Sequence, residues 1–211
     1  DLQATATAGS CSSRIIFNVP DAKSTGVDLE FAVAPNSNFD FAISASYNDS
    51  ELQSSIVAPD GTVVAGIKKG NRLPTVPKFQ MSAAATLQRP IGTDWLGYST
   101  VTYQHVGSRF TQIGDQAAGF GTINLRSFNP NNIGGPYTQN IVTFDPELPA
   151  YDIVNLRFGV LYGKWDVALF VNNVTDELAL TGIDQERGSR ARLSFLTNQP
   201  RTIGLSTRVN F

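Results

Sequence analysis

Apolar and polar residues alternate one by one over long stretches of this chain. The stretch VDLEFAV, residues 27–33, has its large apolar side chains at odd positions and its two carboxylates at even positions. The same alternation recurs at 39–47, 79–87, 165–173 and 201–211. A period of two is the spacing of a β-strand whose two faces meet different surroundings. The sequence therefore predicts an all-β protein built from two-faced strands.

The connections between these strands alternate between short and long. The short ones lie at 34–38, 89–94 and 163–164, and the long ones at 48–75, 108–149 and 176–199. A compact soluble domain rarely contains several long loops without secondary structure. An antiparallel barrel of the outer-membrane type has short turns on one side of the membrane and long loops on the other. We therefore interpret the chain as an antiparallel transmembrane β-barrel.

About eight strands are expected, and most approach the length of about 9–11 residues that a tilted strand needs to cross a bilayer. They are predicted at 1–8, 14–34, 38–48, 76–88, 94–107, 150–162, 165–176 and 200–211. A bulge or break is expected at Pro20, because proline cannot donate to a strand ladder. Trp95 and Trp165 follow short turns, and Tyr47 and Tyr103 lie near opposite strand ends, as in the aromatic girdles of membrane barrels.

Composition and charge exclude several classes of function. The net charge of -2 provides no basic face for a nucleic acid. The single cysteine, Cys11, cannot form an internal disulfide or a thiolate metal site. The single histidine, His105, rules out a multi-histidine metal site and disfavours a histidine-dependent triad. We therefore expect no enzymatic activity, no metal and no cofactor.

Four segments resemble, in order, passages of TonB-dependent outer-membrane receptors. The segment DLQATATAGSCSSRIIFNVPDAKSTGVDLEFAVAP, residues 1–35, resembles a recurring passage of these receptors, including its Ser-x-Gly-Val-Glu-Leu-Glu descent. GNRLPTVPKF, 70–79, is similar to a Gly-x-Arg-Leu-Pro-x-x-Pro motif before a strand. VNNVTDE, 171–177, resembles the Val-x-Asn-Leu-Phe-Asp-Glu motif, and QPRTIGLSTRVNF, 199–211, resembles the closing strand.

The resemblance implies a fold and a place in the cell. Receptors of this family contain a plug inside a barrel of about 22 strands, so residues 1–211 are expected to be the C-terminal portion of such a barrel, without the plug. The expected location is the outer membrane of a Gram-negative bacterium, in contact with lipid and lipopolysaccharide. Carboxylates of the polar face are interpreted as part of a wall that contacts water and plug: Asp28, Glu30, Asp40 and Asp166.

The resemblance also implies a function and partners. The family carries out active, TonB-energised uptake of a scarce nutrient, such as a ferric siderophore; cobalamin, haem and glycans are other ligands of the family. Here the chain would supply barrel wall and extracellular loops. Its expected partners are its own plug domain, TonB through a missing N-terminal part, the barrel-assembly machinery and a small-molecule ligand.

Two groups of residues are predicted to serve these roles. The last strand resembles the terminal signal read by the assembly machinery, and its residues are Ile203, Leu205, Thr207, Val209 and Phe211. Arginines suit an anionic ligand, and aromatic residues on long loops suit ligand capture. The ligand-binding candidates are Arg109, Phe110, Phe120, Phe128, Tyr137, Arg187, Arg190 and Arg192.

Two other interpretations stay open at the level of the sequence. The first is a small stand-alone outer-membrane β-barrel with a structural or adhesive role. The second is a soluble β-sandwich enzyme or lectin, which predicts Greek-key connections and a packed apolar core. What precedes Asp1 discriminates between a receptor and a small barrel, because a receptor has a plug and further strands there.

Overall fold

The computed structural model describes residues 3–7, 14–19, 21–124, 141–186 and 192–210. The long strands are β3 (Ala22–Asn36), β4 (Phe39–Leu52), β5 (Phe79–Ile91), β6 (Trp95–Val106), β11 (Tyr151–Tyr162), β12 (Trp165–Asn172) and β15 (Thr202–Val209). The remaining strands are β1 (Gln3–Thr7), β2 (Arg14–Asn18), β7 (Arg109–Phe110), β8 (Thr122–Asn124), β9 (Ile141–Thr143), β10 (Glu147–Leu148), β13 (Leu180–Glu186) and β14 (Arg192–Thr197). Among the residues described, no helix has the length and apolar character needed to cross a membrane.

The seven long strands form one antiparallel sheet, the main sheet. Its order is β15-β12-β11-β6-β5-β4-β3, so each strand pairs with the next long strand along the chain. The sheet does not close on itself, as expected for part of a larger barrel. The predicted fold class, an antiparallel barrel of which this chain supplies a portion, is therefore confirmed.

The three short turns join the strands at the same ends, as the sequence predicts, and we call this border of the main sheet the short-turn edge. β3 and β4 are joined at 37–38, β5 and β6 at 92–94, and β11 and β12 at 163–164. Gly163 has a φ of +55°, a conformation that costs glycine little and allows a two-residue connection. The long connections between strands of the main sheet therefore leave from the opposite strand ends, and we call that border the long-loop edge.

Strand register confirms the two faces predicted from the alternation. One row of paired residues crosses all seven strands and is apolar throughout: Val33, Phe41, Ala85, Val101, Leu156, Val171 and Ile203. A neighbouring row on the other face is largely polar: Asp40, Thr86, Thr100, Arg157, Phe170 and Gly204. We call these the apolar face and the polar face of the main sheet.

The first part of the chain differs from the prediction of about eight strands in one barrel wall, because its first strand does not join the main sheet. β2 ends at Asn18 and β3 begins at Ala22, so the predicted strand 14–34 is broken near Pro20, as expected. β1, which corresponds to the predicted first strand, pairs only with β2, and the two form a separate hairpin. The break explains the separation, because β2 and β3 are no longer one strand that could carry β1 into the main sheet.

The long connections contain secondary structure that the sequence did not reveal. β7 pairs with β10, β8 with β9, and β13 with β14, and short 3₁₀ helices occupy Val64–Gly66 and Ile113–Gln116. Apolar residues of the first two long connections pack with Leu52 at the end of β4 and Val19 before β3, and together they form a small core at the long-loop edge of the main sheet. It consists of Val19, Leu52, Ile67 and Ile113, with Ile56 and Leu73 packed against them.

Candidate functional site: two sheet faces and three joined loops

The apolar face is exposed in this chain. Leu29 is 60 % exposed, Ile203 66 % and Leu205 71 %. Soluble proteins rarely leave a large contiguous apolar surface uncovered, and such surfaces mark contacts with membranes or other proteins. The face therefore has the character of a surface that meets lipid.

Aromatic residues mark both ends of the apolar face. At the short-turn edge, the ring of Trp95 stacks on Tyr162 with a centroid distance of 4.5 Å, and Trp165 pairs with Tyr162 in the ladder. At the long-loop edge, the ring of Phe79 lies 5.7 Å from that of His105. The predicted residues Tyr47 and Tyr103 also lie toward the long-loop edge, on the same face. Amphipathic aromatic rings favour the boundary between lipid and water, and the role of these residues as interfacial girdles stays a prediction.

His105 belongs to a small polar group at this long-loop edge. Its Nδ1 lies 2.8 Å from Oδ1 of Asp152, and the same oxygen accepts a hydrogen bond of 2.6 Å from the hydroxyl of Tyr103. The contact of His105 with Asp152 is thus that of a structural histidine at a strand end. Within the described part of the chain, no three His, Cys, Asp or Glu side chains are placed to hold a metal ion together.

The polar face is covered by hydroxyls, amides and charged groups. Ser44 and Ser82 join neighbouring strands with an oxygen–oxygen distance of 2.8 Å, and the amide of Asn155 donates to the hydroxyl of Thr102 over 3.1 Å. By contrast, three carboxylates at its β3–β4 end have no side-chain partner among the described residues: Asp28, Glu30 and Asp40. This end of the polar face therefore presents uncompensated negative charge.

The fourth predicted carboxylate, Asp166, is in a different setting near the short turns. Its Oδ1 accepts a hydrogen bond of 2.8 Å from Tyr98, whose hydroxyl oxygen accepts one of 3.0 Å from Nε of Arg157. The ring of Tyr98 lies over Gly159, where a Cβ would stand only 2.4 Å from it. The missing side chain at Gly159 thus makes room for the ring, which holds the three polar groups together.

Arg72 joins two of the long loops. Its Nη1 contacts Oε1 of Glu147 at 2.6 Å, and its Nη2 donates to the carbonyl of Ser108. Its Cζ lies 5.5 Å from the centroid of the Phe110 ring. The amide side chain of Gln116 also donates to the carbonyl of Arg72 and accepts from its backbone N–H. The connection after β4 is therefore tied to the connection after β6 by charge, stacking and backbone bonds.

The pKa of Glu147 reflects this contact. The hydroxyl of Ser108 donates to Oε1 over 2.6 Å and, together with Arg72, holds the pKa below its ordinary value of 4.5, although burial acts in the opposite direction. A carboxyl whose pKa is lowered by folding stabilises the folded state above its unfolded pKa, and this contribution is lost as the pH falls through the folded pKa. The link between the two loops should therefore weaken in acid.

We expect acid to open this link selectively. As the pH falls below 4.5, the Arg72 and Leu73 amides, which donate to Gln116 and Ser50, should lose protection against hydrogen exchange relative to the intrinsic rate at each pH. In Glu147→Gln, this protection should already be lower near neutral pH and should fall less in acid. Equal pH dependence in the two proteins would contradict a role for this carboxylate. The measurement is hydrogen exchange followed by mass spectrometry of the loop 53–78.

Arg109 joins the second and third long loops. The residue is 6 % exposed, and its Nη2 lies 3.3 Å from the carbonyl oxygen of Leu180 and 3.5 Å from that of Thr181. Its Cζ stands 5.2 Å from the centroid of the Tyr151 ring. Nearby, the backbone N–H of Ile183 donates to the hydroxyl of Thr111. All three long loops therefore form one connected unit.

The other predicted ligand-binding residues are dispersed. Phe110 is partly exposed beneath Arg72, and Phe120 meets Phe144 edge to face with 5.8 Å between ring centroids. Phe144 in turn meets Phe195 of β14 at 6.2 Å. Four candidates lie outside the described residues: Phe128, Tyr137, Arg187 and Arg190. Arg192 begins β14, and its side chain is likewise outside the described part.

The predicted assembly signal lies on the edge strand β15. Ile203 pairs with Val171, Leu205 with Leu169 and Val209 with Trp165, so the apolar residues of the signal share the apolar face. Thr207 occupies the same face, opposite Val167. Phe211 lies outside the described residues. Recognition by the assembly machinery stays a prediction.

One structural element at the base of a long loop was not identified in the sequence, although it lies in the VNNVTDE segment. Asn173 has a φ of +52° and is 3 % exposed. Its Nδ2 donates to the carbonyls of Glu177 and Gln199, and its Oδ1 accepts from the N–H of Glu177. Asn198 donates to the same Glu177 carbonyl. We call Asn173, Glu177, Asn198 and Gln199 the asparagine neck, because they close the base of the third long loop.

Comparison with known proteins gives one family and a set of similar folds. The family model described as "TonB dependent receptor-like, beta-barrel" matches residues 1–174. The ferric yersiniabactin uptake receptor FyuA of Yersinia pestis has a similar fold, with a TM-score of 0.63, 18% identity and coverage of 90% of this chain and 24% of that one. The siderophore receptor PiuA of Acinetobacter baumannii also has a similar fold, with a TM-score of 0.56, 15% identity and coverage of 89% of this chain and 22% of that one. No curated protein sequence matches the chain.

Proposed function

The chain belongs to the family of TonB-dependent receptor-like β-barrels, and from this we propose that it forms part of the wall and of the long loops of an outer-membrane receptor that imports a nutrient. It spans about a quarter of the length of the receptors with a similar fold, FyuA and PiuA. The plug, TonB contact and remaining strands of such a receptor would belong to the rest of the protein.

The observation that carries this proposal is the two-sided main sheet. Its apolar face exposes Leu29, Ile203 and Leu205, which suits lipid, while its polar face suits an aqueous barrel interior. A sheet can remain in a bilayer only when its edges are paired, so β3 and β15 would pair with strands of the remaining barrel. In this arrangement the apolar face meets outer-membrane lipid and lipopolysaccharide.

The uncompensated carboxylates of the polar face support an interior partner. Asp28 and Glu30 stand at the β3–β4 end of the sheet, where the described residues supply no cation to them. We propose that the plug domain covers this part of the wall. Water or basic plug side chains would then compensate these carboxylates, because charges removed from bulk water need a partner.

We propose a ferric siderophore as the first ligand to test, with TonB supplying the energy. FyuA is named for uptake of ferric yersiniabactin, and PiuA is named as a siderophore receptor. The similarity to these two solved structures supports only the fold, so the choice of ligand rests on the family and on the names of these two receptors. The ligand would be transported chemically unchanged, and no catalytic step is assigned to the chain.

Uptake measured in cells tests this function. We expect cells that lack the gene for this protein to lose high-affinity uptake of one iron-loaded siderophore from a panel labelled with radioactive iron. Cells that lack TonB should lose the same uptake, and the full-length gene should restore it only in the first strain. Uptake of that siderophore that persists without TonB would contradict an energised receptor. Unchanged uptake of the whole panel without the gene would contradict a siderophore receptor.

A further inference from the structure

An arginine lies on the apolar face near the short-turn edge, one row deeper than the aromatic residues there. The outermost row of paired residues on this face is Ile91, Trp95, Tyr162, Trp165 and Val209. The next row on the same face is Arg89, Gly97, Val160, Val167 and Thr207. Residues that share a face along one strand are about 7 Å apart, so the backbone of Arg89 lies about that far inside the aromatic row. It is the one charged residue of these two rows.

The side chain of Arg89 has no partner in the part of the chain that the structure describes. It is exposed, and it forms no hydrogen bond, ion pair or ring contact with those residues. Its cross-strand partner is Gly97, which has no side chain to offer. Asp94, the carboxylate nearest in sequence, accepts a hydrogen bond of 3.2 Å from the hydroxyl of Thr93 instead. The charge of Arg89 is therefore not neutralised by the described residues.

The long-loop edge of the main sheet is built differently. Lys78 at the start of β5 contacts Asp49 at 2.9 Å, and His105 near the end of β6 contacts Asp152 at 2.8 Å. These basic side chains each have a carboxylate of the same chain beside them. The two edges therefore differ in how their basic side chains are compensated, and Arg89 needs an anion from outside the described residues.

The orientation of the barrel indicates where that anion lies. Short turns of an outer-membrane barrel face the periplasm, and aromatic rows lie at the level of the lipid headgroups. A basic residue slightly below this level keeps its aliphatic stem among apolar groups and extends its charge towards the headgroups. The glycerophospholipids of the periplasmic leaflet carry a phosphodiester at that level. Charge and depth of Arg89 thus both match this group.

From these observations we propose that Arg89 binds the phosphodiester of an anionic glycerophospholipid in the periplasmic leaflet. The fork of a guanidinium matches two phosphate oxygens with parallel hydrogen bonds. Trp95 is a diagonal neighbour of Arg89 across the β5–β6 pair, and its stack with Tyr162 offers an apolar ledge for the glycerol and the first acyl carbons. The inference rests on the proposed function only for the position of the apolar face in the outer membrane and the direction of the short turns.

Lipid binding by the purified full-length receptor in detergent tests this site. The probes are phosphatidylglycerol and a diacylglycerol with the same acyl chains but no phosphate, and bound lipids are counted by native mass spectrometry. We expect the unaltered receptor to bind phosphatidylglycerol more tightly than diacylglycerol. In Arg89→Gln, the apparent dissociation constant of the first phosphatidylglycerol should rise about five-fold, while diacylglycerol binding stays unchanged. Arg89→Lys keeps the charge but loses the fork, so it should lie between the two proteins.

The matched control is Arg208→Gln, which removes an exposed arginine at the same edge but on the polar face, opposite Asp166. It should bind phosphatidylglycerol like the unaltered receptor. Equal weakening in the Arg89 and Arg208 variants would overturn the proposal, as would equal binding of the two lipids by the unaltered receptor. A greater loss for lipid A, whose phosphates belong to the outer leaflet, than for phosphatidylglycerol in Arg89→Gln would also overturn it.

Failure of this site can be distinguished from failure of the proposed function. A receptor that binds phosphatidylglycerol and diacylglycerol equally well still has a lipid-facing wall, and only the phosphodiester site is then wrong. A receptor that binds neither lipid would contradict the contact of the apolar face with lipid, and with it both proposals. Siderophore uptake by cells that carry Arg89→Gln should equal that of cells with the unaltered gene, because Arg89 lies on the face opposite the barrel interior.

Discussion

Replacing Asn173 with alanine is expected to open the base of the third long loop. Alanine loses three side-chain hydrogen bonds, two to Glu177 and one to Gln199, each of which contributes about 1 kcal/mol. It must also adopt the positive φ of this position, which costs a residue with a Cβ about 1–2 kcal/mol. We therefore expect the free energy of local opening to fall by about 4 kcal/mol.

Hydrogen exchange of the Glu177 and Ala179 amides in the full-length protein measures this loss, because they donate to Asn173 and Asn198. Asn173→Gly separates the two causes, since glycine tolerates the positive φ and loses only the hydrogen bonds. It should therefore be intermediate. Asn172→Ala changes the exposed neighbour and should behave like the unaltered protein. Equal exchange in the Asn172 and Asn173 alanine variants would show that the neck does not hold the loop.

Gly26→Ala is expected to damage the main sheet itself. A Cβ at Gly26 would lie 2.4 Å from the backbone carbonyl oxygen of Tyr47 and 3.2 Å from Cα of Asn48. Backbone atoms of a paired strand cannot turn aside, so β3 and β4 would have to separate locally and lose ladder hydrogen bonds. Overpacking of this kind together with lost bonds should cost about 3 kcal/mol. The full-length variant should show a lower melting temperature in detergent and a smaller folded fraction on unheated gels.

Gly159→Ala is the matched control for Gly26→Ala. It adds the same methyl group to the same face of the sheet, but the Cβ meets the outer end of the Tyr98 ring. This ring can swing away at the expense of its contacts with Asp166 and Arg157, so we expect a cost of about 1 kcal/mol. A larger effect at Gly159 than at Gly26 would contradict the tight approach of β3 to β4.

The main sheet follows from local sequence, and the loop unit does not. Val27, Leu29 and Phe31 share a face because the period of a strand is two, whatever the rest of the chain does. The short turns follow in the same way from their length and residues. By contrast, Arg72 meets Glu147 across 75 positions of sequence, and no spacing rule relates such residues. The aromatic contact between Phe144 and Phe195 has the same non-local character.

Arg109 illustrates how far residue type alone can indicate a site. Its charge and its place on a long loop identified it as a ligand-binding candidate, which stays a prediction, but neither property shows that it is buried beside the Tyr151 ring. Asn173 illustrates the opposite case, because the sequence contains a signal for it. Asparagine tolerates positive φ better than most residues with a Cβ, and it ends the alternating run of β12 within a segment that matches a family motif.

The joined loops limit where this protein can change during evolution. Surface loops normally accept insertions and length changes independently of one another. Here an insertion near Arg72 would displace its partners in the next loop, and one near Leu180 would displace Arg109. The exposed turn at 58–63, which is closed by Asp60 and Thr62, carries no such cross-contact among the described residues. Length variation between orthologues should therefore accumulate at such tips, while the bases of the three loops diverge together.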